Sequence, residues 1–97
     1  MIMKSKRSPK KQASTDDKLV IQRVQTGVRL EKRLLKVLKG LAEFLDITLG
    51  DLLEGICLHA FEGKAPFSKQ TLLKIANFKE IYGLDLDASH SHQLLEE

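Results

Sequence analysis

Tryptophan is absent from this sequence, cysteine occurs once, proline twice, and aromatic side chains make up only 5% of the 97 residues. Each scarcity excludes something. The single Cys57 cannot form an intramolecular disulfide, which fits a reducing compartment. With few aromatics the core must be built from Leu, Ile and Val. No apolar run approaches the roughly 18–20 residues that span a bilayer. The charged start lacks the apolar stretch of a signal peptide, so a cytoplasmic protein is expected. No phosphate loop or dinucleotide fingerprint is present. The length suits one domain and excludes a large multidomain enzyme.

What the chain has is charge, unevenly placed. The net charge of +3 arises from 16 Lys and Arg against 13 Asp and Glu. Residues 1–39 hold 12 of the bases and 3 of the acids, a net +9, whereas residues 40–97 hold 4 and 10, a net −6. The first part is a surface for a polyanion. Double-stranded DNA is the first partner to consider, and an acidic protein or membrane surface the second. A solvated basic tail is the plain alternative.

Residues 1–18 are rich in Lys, Arg, Ser and Gln, contain Pro9, and have no apolar period. They read as a disordered basic arm, charged by Lys4, Lys6, Arg7, Lys10 and Lys11. In residues 19–30, Val24, Thr26, Val28 and Leu30 alternate with Arg23, Gln25, Gly27 and Arg29. That period of two predicts a half-buried strand with a basic polar face. Residues 31–45 switch to helical spacing through Leu34, Val37, Leu38, Leu41, Ala42 and Leu45, with Lys32, Arg33, Lys36 and Lys39 opposite. Gly40 interrupts this helix and marks a close packing contact.

Thr48, with Asp51 three residues on, reads as the N-cap of a second helix. Its apolar stripe of Leu49, Leu52, Leu53, Ile56, Cys57 and Ala60, widened by Leu58 and Phe61, predicts burial on more than one side. Gly63 stops it. After a linker at 64–67, Ser68 caps a third helix reaching Tyr82, ended by Gly83. This organisation gives an arm at 1–18, a domain at 19–63, a helical extension at 64–86 and a disordered tail at 87–97.

A lone strand leaves its backbone groups unpaired. Pairing the strands of two chains about a twofold axis, with helix 49–61 at the centre of the dimer, removes the difficulty. At this point the order strand, helix 31–45, Ile47-Thr48-Leu49-Gly50-Asp51 turn and Leu52-Leu53 resembles the ribbon-helix-helix (MetJ/Arc-type) family of bacterial DNA-binding proteins. The likeness covers about 38 residues, Val24–Phe61.

The resemblance implies a mostly α fold, with a two-stranded antiparallel ribbon shared by a homodimer, plus the extra C-terminal helix. It implies a transcriptional regulator associated with the nucleoid, whose ribbon reads the major groove. By position, the base-contacting residues are Gln25, Gly27 and Arg29, with Arg23 at the rim. Arg suits guanine and Gln suits adenine. Gly27 departs from the pattern, because it presents no side chain at the middle reading position. Phosphate contacts are implied at the N-terminus of the second helix, at Thr48, Leu49 and Gly50. Lys32, Arg33 and Lys36 could add contacts that position the protein without specifying sequence.

Other readings fit less well. A helix-turn-helix would make helix 49–61 the reader, yet it has no Lys or Arg and carries Asp51 and Glu54. An antitoxin or protein-interaction module would use residues 64–86 to bind a partner protein. Catalysis has little basis: His59 lacks a partnered Cys or acid, and Cys57 reads as a small core residue. His90-x-His92 offers two ligands, too few for a closed metal site. No cofactor and no metal is expected.

Overall fold

The computed structural model describes residues 18–97. The basic arm, including Lys4, Lys6, Arg7, Lys10 and Lys11, lies outside them apart from its last residue. Three helices follow: α1, Lys32–Leu45; α2, Leu49–Phe61; and α3, Lys69–Tyr82. A short 3-10 turn, Ala88–His90, lies in the tail.

The helix ends are set by local chemistry. The Glu31 carboxylate accepts the Leu34 N–H at 2.8 Å and starts α1. Asp46 ends it in the left-handed region with φ 61°, and its N–H reaches back to the carbonyls of Ala42 and Glu43. This is a helix stop that usually falls to Gly or Asn. Thr48 Oγ1 accepts the Asp51 N–H at 3.0 Å, so the expected cap of α2 is formed. Ser68 does the same for α3 through the Thr71 N–H, and Gly83, at φ 67°, ends it.

The expected strand is not there. Residues 18–30 belong to no helix or strand, and the described residues hold no sheet. The mostly α ribbon-helix-helix fold with one strand is therefore corrected to an all-helical architecture. The physical reason is that an alternating pattern becomes a strand only when another strand accepts its N–H and C=O groups. Among the described residues none does: residues 18–30 make no backbone–backbone hydrogen bond. Nor is one face of the segment half-buried. Val24 is 85% and Val28 72% exposed.

The centre of the fold is α1, not α2. It contacts both α2 and α3, which share no close backbone approach with each other. Leu41, Ala42 and Leu52 form the buried cluster, packed about by Leu38, Leu45, Ile47, Ile56, Phe67 and Ile75. Of the wide apolar stripe on α2, only Leu52 is buried, with Gly55 the one other buried residue of the helix; Leu58 and Phe61 are exposed, and so is Cys57, which was expected in the core. Gly40 does mark a close contact, with the ring of Phe78 on α3.

Candidate nucleic-acid interface

The cations of residues 23–39 divide into two sets. Arginines form one, and each is held by a carboxylate distant in sequence. Arg23 donates from Nε and Nη2 to both oxygens of Glu54 on α2, at 2.8 and 2.9 Å. Arg29 makes the same two-pronged contact with Glu96, near the end of the chain. Arg33 donates from Nη1 to the Gly83 carbonyl and to Asp85, each at 3.0 Å, and from Nε to Glu31 at 3.0 Å. The Arg23 and Arg29 contacts are guanidinium forks meeting a planar carboxylate, the geometry in which Arg is strongest, while Arg33 spreads its donors over three separate acceptors,. All the same, the Arg23–Glu54 and Arg29–Glu96 pairs are largely open to water and so contribute little to folding,, whereas Arg33 and Glu31 are half-buried.

The electrostatic consequences follow from those contacts. The Arg23 guanidinium holds the Glu54 carboxyl below the usual carboxylate range, chiefly by hydrogen bonding. Glu31 is lowered as well, first by the Leu34 N–H it caps and then by Arg33.

Lysines form the second set. Lys32, Lys36 and Lys39 recur at helical spacing along one exposed side of α1,. No carboxylate among the described residues pairs with them. Lys36 Nζ sits 5.9 Å from the centroid of the Tyr82 ring, within cation–π range,. Lys39 extends the implied phosphate-contacting set of Lys32, Arg33 and Lys36; its place in the i, i+4, i+7 series was the available signal.

The remaining site residues are scattered more widely. Gln25 and Gly27 are exposed in the irregular segment between Arg23 and Arg29. A side chain at position 27 would meet nothing within 4 Å. At the start of α2, the Thr48 hydroxyl is engaged as a cap, while the N–H groups of Leu49 and Gly50 find no acceptor among the described residues. The structure thus brings Arg23 to α2 and Arg29 and Arg33 to the C-terminal segment, and does not bring the four implied base-contacting residues onto one sheet face. Glu54, Asp85 and Glu96, the carboxylates that hold the arginines, were not legible in sequence because 31 to 67 residues separate the partners.

A shallow apolar depression lies where the irregular segment meets α2, lined by Ile21, Leu53, Cys57 and Leu58 with Glu54 at its edge. No group of three or more metal-ligating side chains occurs among the described residues. No helix there is long and apolar enough to cross a membrane. No family model, curated protein or solved structure shows a significant match to this chain.

Proposed function

We propose that this chain is a homodimeric, sequence-specific DNA-binding protein acting as a transcriptional regulator, with DNA meeting the basic segment around Arg23–Lys39. The observation that carries the reading is the display of cations there. Seven bases stand between Lys18 and Lys39 against the single acid Glu31. Lys32, Lys36 and Lys39 are exposed on one side of α1, and the side chain of Arg29 is 82% exposed. Such an array attracts a polyanion and releases its counterions.

Support for a second copy comes from what one chain leaves uncovered. Its buried apolar core is Val37, Leu41, Ala42, Leu52 and Leu84. Ile21, Val24 and Val28, together with Leu58 and Phe61 of α2, remain exposed. Ile21 and Leu58 line one shallow apolar depression together, and exposed apolar surface of this kind is costly in water and favours an interface,.

The alternative, a module that captures a partner protein through residues 64–86, has less in its favour. α3 already packs on α1 of its own chain through Phe78.

In vitro selection of bound DNA from a random pool tests the reading. An enriched, twofold-related motif is the expected result. Tight binding without enrichment would replace regulation with an architectural role, and no binding at all would end the DNA reading.

A further inference from the structure

From the contacts of Arg29 and Arg33, we infer that the acidic C-terminal segment is an intramolecular competitor for DNA: Glu96 occupies the guanidinium fork of Arg29 and must leave before that fork can engage a phosphate or base edge. The inference rests on the DNA-binding reading above and adds a built-in brake to it.

Three observations converge. First, residues 84–97 hold four acids, Asp85, Asp87, Glu96 and Glu97, and no Lys or Arg. The segment is complementary in charge to the basic region it reaches. Second, its root is fixed beside that region. Leu84 is buried, its N–H is bonded to the Lys79 carbonyl at 2.8 Å, and Arg33 grips Gly83 and Asp85. Asp87 then caps the 3-10 turn by accepting the Ser89 N–H, and the Gln93 side chain bonds back to the Ser89 carbonyl. The end of the chain is therefore held close to Arg29, where the effective concentration of a carboxylate is high. Third, the contact is made through Nε and Nη2 of Arg29 to both oxygens of Glu96. A two-pronged acceptor of this kind uses the same donors that would meet phosphate oxygens or guanine O6 and N7.

The contact is exposed, so the brake is light. An equilibrium between a closed and an open segment scales the observed affinity by the open fraction. For an exposed ion pair, its removal raises affinity by about two- to five-fold.

The test measures binding of a labelled mixed-sequence duplex of about 30 base pairs at low and at physiological salt. The full chain is compared with Glu96→Gln, Glu97→Gln, Arg29→Ala and the double variant Arg29→Ala/Glu96→Gln. Glu97 makes no ion pair among the described residues, so its variant removes the same charge without the contact. The expected result is that Glu96→Gln binds about two- to five-fold more tightly than the parent, with the gain shrinking as salt rises. Glu97→Gln gains less, and Glu96→Gln gains nothing once Arg29 is absent. Parent and Glu96→Gln binding DNA equally would overturn the brake but leave DNA binding standing. Equal gains from both glutamates, or a gain that persists without Arg29, would also overturn it, by showing a diffuse charge effect. If no variant binds DNA, the DNA reading fails and the brake falls with it.

Discussion

The ring of Phe78 on α3 stands against the backbone of Gly40 on α1, with its edge 3.1 Å from where a Cβ would be. This contact sets how near α3 comes to the central helix. Two effects oppose each other there. Glycine inside a helix costs about 1 kcal/mol relative to alanine, while a methyl group at 3.1 Å forces the half-buried ring to give way. Gly40→Ala is therefore expected to lie within about 1 kcal/mol of the parent in urea unfolding. Gly40→Val cannot be absorbed in this way and is expected to lose about 1–3 kcal/mol through overpacking. Equal stability of Gly40→Val and the parent would show that the approach of α3 is not set here.

The cap of α1 gives a dependence on pH. Because the Leu34 N–H and then Arg33 lower the Glu31 carboxyl in the folded chain, the folded state binds fewer protons there than the unfolded state. The contribution of Glu31 is then fully present above its ordinary value of 4.5 and is lost as pH falls through the depressed folded value,. The stability difference between the parent and Glu31→Gln is expected to be largest at neutral pH and to shrink in acid below that ordinary value. Thermal unfolding followed by circular dichroism at a series of pH values measures it. A constant difference would mean that the carboxylate is not the cap.

Position 48 allows capping to be separated from anion binding. Removing the hydroxyl in Thr48→Ala is expected to cost about 1 kcal/mol of stability. Thr48→Asp retains an acceptor for the Asp51 N–H and is expected to keep stability to within a few tenths of a kcal/mol. Yet it sets a negative charge beside the free N–H groups of Leu49 and Gly50, so its affinity for DNA should fall. Parent-like DNA affinity in Thr48→Asp would remove the start of α2 from the interface.

The lysine row on α1 predicts a salt dependence. If Lys32, Lys36 and Lys39 each neutralise a phosphate, replacing all three with Gln should reduce the slope of log affinity against log salt by roughly 2–3. Binding titrations over a series of salt concentrations give that slope. A slope equal to the parent's would place DNA elsewhere on the molecule.

Local instructions in this chain were readable without the structure. Thr48 and Ser68 cap α2 and α3 as their side chains predict, and Gly83 ends α3. All act within one turn of helix, so the information lies within four residues. Gly40 stood out for the same reason, as a flaw in an otherwise regular helical pattern. The Asp46 stop was less visible, since an aspartate in the left-handed region is uncommon,.

Residues 19–30 show where such reading ends. The alternation is real, but a pattern of side chains specifies a strand only if backbone partners exist, and partners are a property of the whole assembly rather than of the segment. Cys57 and Phe61 make the same point on α2. An apolar residue at helical spacing is a candidate for burial, and burial depends on which neighbour arrives. Here α1 covers the side of α2 bearing Leu52 and Gly55, and α3 packs on α1 instead of on α2.

By itself, then, the sequence determined the three helices, the N-caps of α2 and α3 and the division of charge between the two parts of the chain. These follow from short-range hydrogen bonding and composition. Only the tertiary structure decided that α1 is central, that Arg23, Arg33 and Arg29 are held by Glu54, Asp85 and Glu96, and that the backbone of residues 18–30 pairs with no other backbone among the described residues. Those outcomes join residues tens of positions apart, and they depend on which surfaces compete best for the small apolar area that one chain of this size can bury.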